Sequence, residues 1–285
     1  MSLGVPDSIV FNEKPRATAA SKVRQNFLPI NGRVFGPSSQ VHFSLACGRK
    51  GAFLDPKATY LKFRVSNKAA AGGANLALDY SAHSVIHLLE SYYGSTQLEY
   101  VREYAPLVAA LMDSQANSDR ETKNATILEG NSGTSRTGTT IAPQGSQVFC
   151  IPLLSGLIGS LAEKMLPVGS MTRDNLKFSL TLADLHDIQH ATASADWELS
   201  EVELVCEYVM VNPQVASAIE SMSPQGIRIP FTTFSLQSNS IASGLSSINL
   251  LLSGNFRSVK TLLTVFRPDA NRGALAKRYV SHRAN

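Results

Sequence analysis

The chain has 285 residues, of which 44% are hydrophobic and 17% are charged, with a net charge of +4. This composition excludes a disordered protein and a coiled coil, both of which carry many more charged residues. The cysteines Cys47, Cys150 and Cys206 are far apart, which excludes a disulfide scaffold and a cysteine zinc site and indicates a reducing compartment. The longest apolar stretch, 148–158, is broken by Pro152 and is shorter than the roughly 18 residues of a membrane helix, so no transmembrane segment is predicted.

The positive charge is concentrated at the two ends of the chain. Residues 1–33 carry five basic and two acidic side chains, a net charge of +3. Residues 255–285 carry seven basic and one acidic side chain, a net charge of +6, so the residues between the two ends carry a net charge of −5. Basic ends are typical of arms that contact an anionic surface such as nucleic acid, and the alternative is a pair of solubilising tails. We expect weak, non-specific nucleic-acid contacts or inter-subunit contacts from eight residues. They are Lys14, Arg16, Lys22, Arg24, Arg272, Lys277, Arg278 and Arg283.

Residues 1–26 show no hydrophobic periodicity. They contain Pro6 and Pro15 and have too little apolar surface to fold by themselves. The sequence therefore predicts an extended N-terminal arm that is ordered by contact with a neighbouring chain.

Strict alternation of apolar and polar side chains begins after the arm and predicts strands with one buried face. It covers residues 41–45 and 61–65, and it is clearest over 176–182 and 202–210. We expect the apolar residues of the last two segments to point into one core between two sheets. These residues are Leu176, Phe178, Leu180, Leu182, Leu204, Cys206 and Tyr208.

The middle of the chain has weaker patterns. Residues 84–93 are rich in β-branched and aromatic side chains and are followed by a Gly-Ser pair, which favours a strand and turn over the competing helix. Apolar residues spaced by three and four predict a broken helix at about 98–113. The stretch 113–146 is rich in Ser, Asn, Gly and Thr, which predicts a long exposed insertion loop.

The pattern changes after Asn212-Pro213, where proline ends a strand because it cannot donate to a ladder. Residues 213–226 are predicted as a linker that contains a short helix, and residues 227–285 as the start of a second β barrel. Those residues are too few for a barrel like the first, so either other chains complete it or the polypeptide is partial. The segments with strand alternation are 227–236, 247–252 and 259–266.

The sequence lacks the short motifs of zinc proteases, serine hydrolases, dinucleotide-binding folds and P-loops. The best metal candidate is the pair His186 and His190, with Asp184 or Asp187 as a further ligand, and a polar loop or short helix is the favoured alternative.

Three further features favour packing over chemistry. His83 and His87 lie on a predicted strand, where their spacing is too long for one ion. Trp197 is interpreted as a packing residue at a strand edge, with a ligand platform as the alternative. The three cysteines are interpreted as buried residues within strands. We therefore predict no enzymatic activity, no metal, no cofactor and no small-molecule substrate.

Short strands separated by turns predict an all-β chain with short helical insertions. The architecture expected is a jelly-roll β-sandwich, with a complete first barrel at 27–212 and the start of a second.

Several short stretches resemble one family, the double jelly-roll major capsid proteins of adenovirus-lineage, Polinton-like and virophage-like DNA viruses. The resemblance covers roughly residues 27 to 270. The stretches that carry it are Phe53–Pro56 with Thr59–Phe63, Ser84–Gly94, Gln97–Glu99 with Tyr104, Ile151–Gly159, Leu166–Val168, Leu176–Ala183, Glu203–Tyr208 and Ser258–Arg267.

This resemblance implies a subunit that self-assembles, as trimeric capsomers and with other capsid proteins, into an icosahedral shell. Its place would be the virion, after synthesis in the host cytoplasm or nucleus. Two alternatives stay open: a minor or vertex capsid protein, and a β-sandwich carbohydrate- or receptor-binding module that uses the loop 113–146.

Overall fold

The structure is a computed structural model of the whole chain. The residues that it describes are 20–115, 128–132, 137–190, 193–221, 227–242, 247, 249, 251, 254, 258–272, 274 and 280.

Strands dominate the described residues, with two α-helices and three short 3₁₀ helices. The strands are β1 (Ala20–Phe27), β2 (Val34–Phe35), β3 (Gln40–Leu45), β4 (Ala52–Asn67), β5 (Leu76–Ala77), β6 (Ile86–Tyr93), β7 (Thr96–Arg102), β8 (Asn131–Ser132), β9 (Thr137–Gly138), β10 (Thr140–Ile141), β11 (Ser146–Pro152), β12 (Leu176–Leu182) and β13 (Trp197–Val211). The α-helices are α1 (Tyr104–Gln115) and α2 (Pro213–Ser221), and the 3₁₀ helices are Ala82–Val85, Val168–Ser170 and Asp269–Asn271.

Two antiparallel sheets contain the eight main strands. The larger sheet has the order β1-β13-β4-β11, with β2 also paired to β13, and the smaller sheet has the order β3-β12-β6-β7. The pairing is nested, since the first main strand pairs with the last, the second with the seventh, the third with the sixth and the fourth with the fifth. A long antiparallel hairpin rolled into two sheets gives this order, which is that of a jelly roll.

The core lies between the two sheets. All seven apolar residues that β12 and β13 were predicted to bury are buried, whereas Lys177 between two of them is exposed. Phe43 faces Phe178 within the smaller sheet, with ring centroids 6.3 Å apart. The alternation on these strands and the jelly-roll sandwich are therefore confirmed.

Two predicted boundaries are wrong. Residues 20–26, which were expected to belong to the arm, form most of β1 and pair with β13 over its C-terminal half. Residues 98–102, which were expected to be helical, belong to β7 because pairing with β6 satisfies their backbone groups. The helix that follows begins at Tyr104 instead.

The predicted insertion loop 113–146 also contains regular structure. Residues 113–115 end α1, and β8, β9 and β10 lie within the range. β10 pairs with β5, and β8 pairs with β9. Residues 116–127 and 133–136 of the predicted loop lie outside the described residues.

The C-terminal segments do not form the predicted strands. Residues 227–242 and 258–268 have no strand pairing, so the strand predictions at 227–236 and 259–266 are wrong here. The physical reason is that a strand requires a neighbour to satisfy its backbone groups. Residues 248, 250 and 252 of the segment 247–252 lie outside the described residues, and membership of 227–285 in a second barrel stays a prediction.

Candidate assembly surfaces

One side of the sandwich is formed by the edge strands β1 and β3. The chain after β1 connects the two sheets there, because the Ile30 N–H donates to the His42 carbonyl at 2.8 Å. β2 lies on the same side, since both β1 and β2 pair with β13 on the side away from β4. We call residues 20–35 the N-terminal edge. Its exposed large apolar residues are Val23, Leu28, Ile30 and Val34.

The basic residues of β1 are paired within the chain. Lys22 Nζ lies 2.6 Å from a Glu207 carboxylate oxygen, and Arg24 lies 3.6 Å from the other. The hydrogen bond from Lys22 lowers the pKa of Glu207, and the same bond raises the pKa of Lys22. Two of the eight predicted contact residues therefore have a partner on the neighbouring strand.

The outer face of the larger sheet continues this pattern of paired charges. β13 presents glutamates outward, and each is paired with a basic side chain of β1, of β4 or of Lys68, which directly follows β4. Beyond Glu207, the pairs are Lys62–Glu203 at 3.6 Å, Arg64–Glu201 at 3.1 Å and Lys68–Glu198 at 3.1 Å. Exposed pairs contribute little to stability, but they leave this face nearly neutral.

The opposite side of the sandwich is formed by β7 and β11, and a buried carboxylate connects them. Glu99 of β7 accepts hydrogen bonds from Ser155 Oγ at 2.5 Å, the Gly156 N–H at 2.8 Å and Ser91 Oγ at 3.2 Å. Burial raises the pKa of this carboxyl despite the three donors. The Tyr104 hydroxyl also accepts from the Leu154 N–H at 2.8 Å.

The C-terminal part of the chain lies against this second side. Ile229 and Phe234 pack on the core, and the Thr232 backbone lies directly over Gly156. Further along, Lys260 pairs with Glu163 at 2.8 Å, and Arg267 pairs at 3.7 Å with Glu103, the residue after β7.

The last described residues are also attached to the sandwich. Arg272 lies 3.8 Å from a Glu103 oxygen and 3.9 Å from an Asp187 oxygen. The Val280 N–H donates to Asp79 at 2.7 Å, and the Val280 side chain is buried with Tyr80, Ala105 and Ala109. Arg272 is thus another predicted contact residue that has acidic partners in its own chain.

The C-terminal part exposes many large apolar side chains. Leu251, Leu262 and Phe266 are 89%, 67% and 65% exposed. Val259, Leu263 and Val265 are exposed as well. A folded surface rarely presents so many in one short segment unless a partner covers them.

The remaining predicted contact residues, Lys14, Arg16, Lys277, Arg278 and Arg283, lie outside the described residues. The N-terminal edge and the buried Glu99 were not predicted from the sequence. The available signal for the edge was the apolar residues Leu28, Ile30 and Val34, which follow a basic segment.

The predicted chemical candidates have ordinary structural surroundings. His186 contacts Ser194 through its Nδ1 at 3.3 Å, and no cluster of three His, Cys, Asp or Glu side chains suited to a metal occurs in the described residues. Trp197 begins β13, is buried and donates to the Leu185 carbonyl at 3.3 Å. Cys206 is buried in β13, whereas Cys47 follows β3 and is only half-buried, so its placement within a strand was wrong.

His83 was also placed wrongly. It lies in the 3₁₀ helix that precedes β6, fully buried, with Nε2 3.7 Å from Glu129. In the described part of the chain, none of the helices has the length and apolar character needed to cross a bilayer.

Comparison with solved structures identifies the fold. VP54 of PBCV-1, a crystal structure fitted into a reconstruction of the virophage Sputnik, matches with a TM-score of 0.52 and 15% identity over 73% of this chain and 46% of that chain. A quasi-atomic model of the PBCV-1 virus capsid gives the same values. The chain has the fold of a capsid jelly roll. The Faustovirus major capsid protein is also similar, with a TM-score of 0.47 and 8% identity over 75% of this chain and 58% of that one.

At these identities the likeness concerns the fold. The chain spans about half the length of these capsid structures. No family model and no curated protein sequence matches it.

Proposed function

We propose that the chain is a structural subunit of a viral capsid, which works by self-association and not by catalysis. The observation that carries this proposal is the nested, jelly-roll order of its eight main strands, together with a TM-score of 0.52 to the PBCV-1 capsid structures. Jelly rolls of this order are common in viral capsids, although the fold also occurs in lectins.

The surfaces of the sandwich support a role in assembly. Apolar side chains are exposed along the N-terminal edge and along the C-terminal part, on two sides of the molecule. Charged residues are only 17% of the chain, and interface cores are depleted in charge. The proposed assembly is a trimeric capsomer within an icosahedral shell in the virion, together with other capsid proteins.

Residues 227–285 are proposed to contribute to a second β barrel. Support comes from the exposure of Val259, Leu262 and Phe266 and from the absence of strand pairing over the described residues 227–242 and 258–268. Strands supplied from outside the described residues would satisfy both the backbone groups and these side chains.

The basic ends of the chain are proposed to face the interior and to contact nucleic acid weakly. Lys22, Arg24 and Arg272 already have acidic partners, so the contact would depend mostly on the other five predicted residues. Raising the salt concentration should weaken this contact far more than the contact between subunits.

Sedimentation velocity of the purified chain at micromolar concentration and physiological salt tests the proposal. The expected result is a reversible population larger than the monomer that grows with concentration. A chain that stays monomeric throughout, alone and with other capsid proteins of the same virus, would contradict it and would favour a binding module instead.

A further inference from the structure

A buried loop of the sandwich receives one stretch of the C-terminal part. Residues 153–159, which we call the platform loop, follow β11 and are almost entirely buried. Residues 229–234, which we call the docked segment, lie on this loop. The Thr232 backbone occupies the space that a Cβ of Gly156 would need, and the Phe234 side chain packs against the core. The platform loop and the docked segment are thus in direct contact.

The docked segment is held by packing alone. In the described part of the chain, none of its groups forms a hydrogen bond or an ion pair. Van der Waals attraction weakens steeply with separation, and a gap of about 0.5–1 Å removes about a quarter to a half of it. The position of the docked segment therefore depends on the shape of the platform loop.

Glu99 of β7 determines that shape. Its carboxylate is 2% exposed and accepts hydrogen bonds from Ser155 Oγ and from the Gly156 N–H. Ser155 Oγ in turn accepts from the N–H groups of Leu157 and Ile158, both at 3.1 Å. One carboxylate thus holds the backbone of three consecutive residues in the loop, either directly or through Ser155.

Glu99 has no counter-ion. Hydrogen-bond donors surround its carboxylate, and no basic side chain among the described residues pairs with it. From β6, the Ser91 hydroxyl donates at 3.2 Å. The platform loop and the docked segment contain no titratable side chain. A negative charge on Glu99 is therefore compensated by neutral dipoles only.

The titratable groups that face this region lie around the start of α1. Burial and the charges of Glu129 and Glu99 raise the pKa of Tyr104, so its hydroxyl stays protonated. The His83 ring is 6.1 Å from the Tyr104 ring, and its Nε2 is 3.7 Å from Glu129. The pKa of Glu99 itself is raised by burial, against the opposing effect of its hydrogen bonds.

Ionisation of Glu99 opposes the closed loop. The charged form is penalised while the carboxyl is buried and is relieved when the loop opens to water. The closed loop is therefore most stable below the unfolded pKa of Glu99, and it loses stability as the pH rises through the higher folded pKa.

We propose that Glu99 is a pH-sensitive clamp that controls the contact between the platform loop and the docked segment. While Glu99 is neutral, the platform loop keeps the shape on which the segment rests. Ionisation makes the loop open more often, and the segment then loses its support. All of these contacts lie within one chain, so the clamp is independent of the proposed function.

Hydrogen exchange of the full chain, followed by mass spectrometry, measures the opening of the platform loop. At each pH, the exchange rate of the amides of residues 156–158 is divided by the rate in the Glu99→Gln variant, so that the intrinsic rate cancels. This ratio should rise by up to about tenfold per pH unit from about pH 4 and then level off. Glu90→Gln is the matched control, because Glu90 belongs to the same sheet but bonds to Tyr92 and Gln97, and it should keep the native profile.

Fluorine NMR of the chain labelled with fluorophenylalanine follows the docked segment over the same pH range. Phe234→Leu identifies the Phe234 resonance, and the exposed Phe231 provides the reference for a solvated ring. As the pH rises, the Phe234 resonance should move toward that of Phe231 in the native chain. It should stay in place in the Glu99→Gln variant, because the neutral side chain cannot ionise.

Two results would overturn the clamp. One is an exchange ratio that does not change with pH, and the other is opening of the platform loop without any movement of the Phe234 resonance. If Glu99→Gln does not fold, Ser91→Ala provides a second variant, since the loss of this donor raises the pKa of Glu99 further. Its exchange rate relative to the native chain should then rise above the pH at which the native rate levels off, and a constant ratio would contradict the clamp.

Discussion

The Thr232 carbonyl oxygen lies against Gly156, so that a Cβ added to Gly156 would be only 2.0 Å from it. The loop after β11 and the C-terminal part of the chain are thus in backbone contact. A side chain at residue 156 would displace one of them, because a backbone oxygen cannot rotate away as the end of a side chain can.

Gly156→Ala is expected to release residues 227–236 from the sandwich. Trypsin should then cleave after the exposed Arg228 faster than in the native chain, since proteolysis follows local opening. Gly36→Ala is the matched control, because no atom lies within 4 Å of its added Cβ. Equal cleavage rates in the native chain and both variants would contradict the contact.

Glu99→Gln is expected to change the pH dependence of stability. Burial raises the pKa of Glu99 in the folded state, so folding favours the protonated form. The stability from this group is fully present below the unfolded pKa and is lost as the pH rises through the higher folded pKa. The native chain should therefore lose stability relative to the neutral Gln variant as the pH rises from about pH 4, the unfolded pKa, through the raised folded pKa.

Urea unfolding of both proteins across this range measures the difference in the free energy of unfolding. A difference that is constant with pH, or that moves in favour of the native chain as pH rises, would contradict the role assigned to burial.

Phe178→Ala should remove about 3–5 kcal/mol from the free energy of unfolding, because it deletes a fully buried ring and leaves a cavity. Lys177→Ala, on the exposed face of the same strand, should stay within about 0.5 kcal/mol of the native value. Chemical denaturation monitored by the single tryptophan, Trp197, provides the comparison. Equal losses for both variants would contradict the assigned faces of β12.

Glu207→Gln should strengthen non-specific binding to nucleic acid. The substitution frees Lys22 and Arg24 from their carboxylate partner and allows them to contact phosphates. Glu220→Gln is the control for the change in net charge alone. It alters the net charge by the same amount, at a carboxylate that accepts its hydrogen bond from Ser170 Oγ. Titration with single-stranded DNA at several salt concentrations distinguishes the two, and identical binding by both variants would show that Lys22 and Arg24 make no contact.

The sequence predicted best the strands whose two faces differ. β12 and the C-terminal half of β13 alternate because one face meets the core and the other meets solvent. β4 is longer than predicted, because strict alternation was recognised only over residues 61–65. The structure accommodates Pro56 where the register between β4 and β13 shifts, so that residues 56–59 have no partner in the ladder with β13.

β7 could not be predicted from its own residues. Leu98, Val101 and Ala105 have helical spacing. Residues 98–102 nevertheless form a strand because they pair with β6. β1 was missed for a similar reason, because nearly all of its side chains are exposed and no alternation marks a strand.

The candidate surfaces were only partly predictable. Charge at the ends of the chain is visible in the sequence, but the pairing of Lys22 and Arg24 with Glu207 depends on strand order. The role of Glu99 likewise depends on a loop more than fifty residues away. Contacts between residues distant in sequence are set by topology, which local patterns do not encode.

Negative-stain electron microscopy of the purified chain at micromolar concentration shows whether this jelly roll assembles as a capsid subunit does. We expect uniform closed assemblies of several copies, either rings or larger shells, that persist at physiological salt. A field of single small particles at every concentration, with and without other capsid proteins of the same virus, would contradict it.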